Sequence, residues 1–135
     1  MKFKQWLTAG LILFASISTA VNSQETLESN VGYYGFEPDI ITNYVSVNSK
    51  KVGFVRVTVE LMIDDVSNVA IIEHHNPLLR DAIIDVFIRQ PEQKIKSMTG
   101  REEIRVLILD RLRELMQKAT GKTLVRDSLF AKYLY

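Results

Sequence analysis

Cysteine is absent from the 135 residues. That removes a disulfide framework, a Cys-based zinc or iron–sulfur site, a thiol nucleophile, c-type haem attachment and cysteine lipidation together. If the chain leaves the cytoplasm, packing alone must hold it. An excess of one charge sign is also missing, since 17 Lys and Arg stand against 16 Asp and Glu, a net +1. A nucleic-acid-binding domain usually shows a basic surplus, so no nucleic acid is expected as a partner. Glycine-rich and low-complexity stretches are lacking, as are internal repeats. What remains is 47% hydrophobic and 24% charged, the balance of a folded chain with room for one domain.

A long uninterrupted apolar run is missing too. Residues 6–21 are mostly apolar but are broken by Thr8, Ser16, Ser18 and Thr19. A membrane-crossing helix needs about 20 apolar residues. Lys2 and Lys4 precede the run, and Ser18-Thr19-Ala20 offers small residues at a cleavage position. Residues 1–21 therefore read either as a signal peptide cut after Ala20 or as a short membrane anchor. The basic start keeps the N-terminus inside in both cases, so the remainder faces outward. Without Lys2 and Lys4 it carries 15 basic and 16 acidic residues, a net −1.

Residues 22–38 read as a tether, because Gly32, Gly35 and Pro38 discourage regular structure. Its end is aromatic. Tyr33, Tyr34 and Phe36 are candidates for packing at the domain edge or for contact with a partner. The domain itself is expected over 39–135. A first strand is predicted from Asp39 to Val47, followed by a polar turn at 48–51. From Val52 to Ile63 the chain alternates, with Val55, Val57, Val59 and Leu61 on one face and Phe54, Arg56, Thr58, Glu60 and Met62 on the other. That period of two marks a half-buried strand, paired with the first in a hairpin.

Helical spacing follows. A short helix to about His74 is capped by Asp65 or Ser67, and Asn76-Pro77 restarts the chain as a helix to Arg89. Pro91 ends it, and 92–98 suit a further turn or two. Thr99 and Glu102 have capping-box spacing, opening a long helix to Thr120 that Gly121 closes. Its predicted stripe is Ile104, Leu107, Ile108, Leu112, Leu115, Met116 and Ala119. The stretch 123–135 reads as strand, with Val125, Leu129, Ala131 and Tyr133 on one face. The expected class is α+β, a small antiparallel sheet with packed helices in the order β-β-α-α-α-β.

No constellation for chemistry stands out. His74 and His75 are adjacent, so on a helix they point about 100° apart and do not share a metal as an i, i+4 pair can. They read as surface or capping histidines near a helix C-terminus, with a metal, pH-sensing or enzymatic role as the rival. Phosphate loops, nucleophile elbows and His-Glu-x-x-His helices are missing. Neither catalytic residues nor cofactors nor metals are nominated. Arg80-Asp81, Asp85-Arg89 and the charged face of the long helix read as solvated surface or partner surface.

Four segments in order carry a resemblance. They are Tyr34-Gly-Phe-Glu-Pro-Asp-Ile-Ile-Thr-Asn43 with the strand Gly53–Leu61, Glu73-His-His-Asn-Pro-Leu-Leu-Arg-Asp81, Thr99-Gly-Arg-Glu-Glu-Ile-Arg105, and Leu129–Tyr135. Over roughly 33–135 the chain resembles the flagellar basal-body-associated FliL family. The motif positions that match are Pro38, Asn43, His75, Pro77, Arg80, Asp81 and Gly100. The resemblance implies a bacterial inner-membrane protein whose periplasmic domain has a stomatin-like fold. It implies homo-oligomeric rings around the motor's ion-driven stator units, supporting torque, swimming and chemotaxis without enzymatic chemistry. A cleaved start would leave the domain soluble in the periplasm. A soluble periplasmic ligand-binding or adaptor module sharing the fold is the alternative.

Overall fold

The computed structural model describes residues 30–47 and 51–135. The signal-or-anchor reading of 1–21, residues 22–29 of the tether and residues 48–50 of the polar turn lie outside the described residues. The chain is α+β, as its patterning predicts.

Its centre is β3 (Gly53–Ile63), the strand whose alternation is clearest. Val55, Val57, Val59, Leu61 and Ile63 are fully buried, whereas Phe54 on the other face is 59% exposed. Branched side chains suit a pleated, half-buried surface, which is why this segment extends. Both edges of β3 are paired, always antiparallel. On one lie β1 (Gly32–Gly35) and β2 (Ile40–Tyr44), end to end along the same partner. The Phe36 N–H donates to the Val59 carbonyl at 3.0 Å and bridges the gap, in which Glu37–Pro38 is cis. On the other edge lies β4 (Val125–Leu134).

Helices cover the buried face. After a short 3₁₀ turn, α1 spans Val69–His74, α2 Asn76–Ile88, α3 Glu92–Lys96 and α4 Met98–Thr120. Leu79, Ile83 and Phe87 from α2 and Ile104, Ile108, Leu112 and Met116 from α4 meet the inner residues of β3 in one core. Each such side chain contributes roughly 1.5–3 kcal/mol of transfer free energy. Gly121, at φ 79°, takes the left-handed position that ends α4. This one-sided layering is compatible with the stomatin-like fold that the resemblance implies.

Five local expectations differ from the structure. Residues 32–35, read as the end of a tether, form β1, because the end of β3 offers them a free edge. Gly32 there leaves room for the Val69 side chain, which a Cβ would strike. Asn76 is the first residue of α2 rather than its cap, and its side chain is turned elsewhere. The cap of α4 is Ser97, whose Oγ accepts from Gly100 N–H at 2.9 Å, so the Thr99–Glu102 box does not form. Leu107 and Ala119 are exposed, because burial follows the i, i+4 row 104, 108, 112, 116 with Leu109 on one flank, and Leu107 stands about 100° off the row on the opposite flank. In β4 two register shifts against β3 break the alternation. Val125, Ser128, Phe130 and Tyr133 turn inward, leaving Leu129 and Ala131 exposed.

Candidate functional site

The aromatic end of the presumed tether is split by strand geometry. In β1 successive side chains alternate faces. Tyr33 points out, 61% exposed opposite Met62, while Tyr34 is half-buried and Phe36 is 0% exposed. Phe36 therefore belongs to the core and is closed to a partner in the folded domain. Its ring meets Tyr34 edge-on at 5.3 Å, and the Arg80 guanidinium lies 5.9 Å from its centroid. Asn76 Nδ2 donates to the Tyr34 hydroxyl.

The corner of α1 and α2 is thus clamped to β1 by the motif that the sequence singles out. His75 belongs to the same corner: its Nδ1 lies 2.8 Å from the Ile71 carbonyl, which can only accept, so Nδ1 carries the proton. His74 is exposed and packs edge-on against His75 at 5.2 Å. Pro77 sits in the first turn of α2. Arg80 turns to Phe36 rather than to Asp81, which is exposed and forms no ion pair among the described residues. Pro38 is exposed just before β2, and Asn43 is exposed within β2 opposite Phe54. Gly100 lies at the far end, buried where α4 crosses α3. A Cβ there would fall on the Lys94 carbonyl oxygen.

The open face of the sheet has its own organisation, which sequence reading missed. Asp39 follows Pro38 and gathers three partners across the strands. Its carboxylate accepts from Thr58 Oγ1 at 2.6 Å, Arg56 Nε at 2.7 Å and Lys132 Nζ at 3.2 Å. These hydrogen bonds, Thr58 first, lower its pKa to about 2. Only the cross-strand register brings β3 and β4 to one acid, so spacing along the chain carried no signal. Around this tie stand exposed Ile41, Phe54 and Leu134 at one end, and Tyr33 and Leu129 at the other.

Among the described residues, two of the hollows lie on the helical side. One, about 350 Å³, is an open groove between α2 and α4 over Val86 and Leu107, walled by Asp85, Arg89, Asp110 and Arg111. The other, about 360 Å³, is open beside Lys94, Glu103 and Val106. Most acids on this side are answered locally: Asp85–Arg89 at 2.9 Å, Arg111–Glu114 at 3.0 Å and Lys118–Glu114 at 2.8 Å. Among the described residues no three His, Asp or Glu side chains converge as metal ligands, and every buried side-chain polar atom has a partner.

The sequence profile described as "Flagellar basal body-associated protein FliL" matches residues 33–135. The chain belongs to the FliL family. No curated protein matches it. The FliL match begins at Tyr33, so β1 from its second residue and the clamp on α2 lie within the matched region. Membership implies a role associated with the flagellar basal body and bacterial motility. Among the described residues no helix is long and apolar enough to cross a membrane.

Proposed function

We propose that this FliL-family chain supports the stator units of the flagellar motor through protein–protein contacts, acting without chemistry of its own. It sustains torque, swimming and chemotaxis by binding the active stator more tightly than the inactive one, which is all that a shift of population requires. The domain faces the periplasm beside the basal body. It is held at the inner membrane by residues 1–21, or is soluble if these are cut after Ala20, and it assembles with copies of itself in a ring.

The observation that carries this reading is family membership together with a one-sided fold. Helices cover one face of the sheet, and the other presents Tyr33, Ile41, Phe54 and Leu134 to solvent. Exposed aromatics and aliphatics grouped on a rigid sheet suit contact with a partner. A ligand-binding module would favour an enclosed pocket, whereas the two hollows described above are open grooves.

Deletion followed by complementation tests the reading. Cells lacking the protein should build flagella and swim with reduced torque in bead assays, and the full chain should restore it. Unchanged torque, with no related copy in the cell, would overturn the proposal.

A further inference from the structure

We propose that the outer edge of β4 from Leu129 to Leu134 takes up an extended segment of another protein as an added strand, with a carboxylate of that segment beside Arg101. The two halves of this edge are treated differently. Among the described residues no strand pairs with it. Its upstream half is sealed from α4: Arg113 Nε donates to the Val125 carbonyl at 2.8 Å and Nη2 to that of Arg126, while Arg105 Nη1 donates to Ser128 at 2.9 Å. From Leu129 to Leu134 no described side chain donates to a backbone carbonyl. Proteins usually blunt an open edge, often with lysine. Here the one lysine, Lys132, is drawn over the sheet to Asp39.

The unsealed half is also rigid and apolar. Leu129, Ala131 and Leu134 are exposed. Behind them Phe130 and Tyr133 pack at 5.1 Å, and the Tyr133 hydroxyl donates to the Ile95 carbonyl at 3.0 Å. A rigid edge loses little entropy when a strand is added, and backbone hydrogen bonds with alternating apolar contacts are how such additions bind. Arg101 supplies the charge. Its guanidinium lies 4.9 Å from the Tyr133 ring centroid and makes no ion pair among the described residues. A second β4 would bring another Arg101 and, between Leu129 and Leu134, no acid. That charge mismatch disfavours pairing of two β4 edges, and the occupant we propose is a different chain, apolar at alternate positions and acidic near Arg101.

The test uses the isotopically labelled full chain and a short capped peptide of alternating Val and Thr with one central Asp. Amide shifts should be confined to Leu129–Leu134 and the Arg101 side chain. Methylating alternate peptide nitrogens should abolish binding, because added strands need their N–H groups. Replacing the Asp by Lys should weaken binding about tenfold, and Arg101→Glu should reverse that preference. Shifts elsewhere, equal binding of the methylated peptide, or no binding at millimolar peptide would overturn the proposal. So would a peptide-free dimer that Ala131→Pro dissolves, which would give the edge to a second copy. Swimming enters none of these readouts, so the edge and the motor reading stand or fall separately.

Discussion

Alternate residues of β3 face two environments from one strand. Val55, Val57, Val59, Leu61 and Ile63 lie under the helices without solvent contact, while Phe54, Arg56, Thr58, Glu60 and Met62 look out from the open face. The inner set is uniform, because a dense interior rejects both polar atoms and wrong volumes. The outer set mixes an aromatic, a cation, a hydroxyl, an acid and a thioether. Stability accounts for the inner face almost fully. On the outer face it accounts for the Asp39 tie but gives no reason for the apolar side chains around it, and that remainder is where function is to be sought.

Truncation on the inner face should show the largest effect. Leu61→Ala opens a cavity in the fully buried core and should cost about 3 kcal/mol, read as a lower urea midpoint with unchanged slope. Its neighbour Met62→Ala should cost a small fraction of that; equal losses would break the contrast between faces. Next comes the seat of the helical layer. Gly100→Ala places a methyl group on the Lys94 carbonyl, so α3 and α4 must part, at about 2 kcal/mol. The same substitution at Gly35, whose Cβ would lie 3.8 Å from the Glu60 side chain, should be mild by comparison.

The polar tie on the outer face should show itself through acid. Asp39 titrates at about 2 in the folded chain against an ordinary 3.8. A lowered pKa means that its contribution is fully present above about pH 4 and is lost as pH falls towards 2. Asp39→Asn should remove that part of the acid slope, seen as the difference between the urea midpoints of wild type and variant over this window. Parallel curves would mean that Arg56, Thr58 and Lys132 gain nothing from the charge.

Legibility follows the same division. The inner face of β3, the restart at Pro77, the close of α4 at Gly121 and the α+β class could be read because each rests on a short-range pattern. What escaped depends on distant partners. Gly32 and Gly35 argue against a strand until the end of β3 is there to pair with them. The faces of β4 turn on two register shifts that no local spacing encodes. Ser97 and Thr99 are both competent caps, and only the approach of Gly100 to α3 decides between them. At the candidate site the aromatic cluster was visible, but not its division into exposed Tyr33, half-buried Tyr34 and core Phe36. Asp39 was invisible as a hub, since its partners lie 17, 19 and 93 residues away.

The smallest expected change in stability is the most telling about function. Phe54 is exposed on β3 opposite Asn43, one pairing step from the row Ile41, Arg56, Leu134. Little surface is buried there, so Phe54→Ala should move the unfolding free energy by less than about 0.5 kcal/mol. An aromatic that the fold does not need is a candidate anchor, and anchors lose binding when truncated. Cells carrying Phe54→Ala should therefore hold normal amounts of a normally stable protein and still fall short of wild-type torque. Double replacement with Tyr33→Ala, at the other end of the face, should deepen the deficit without lowering the urea midpoint further. Full torque with both side chains removed would show that the open face is only the back of a core, and would shift the search for the partner surface to α2 and α4.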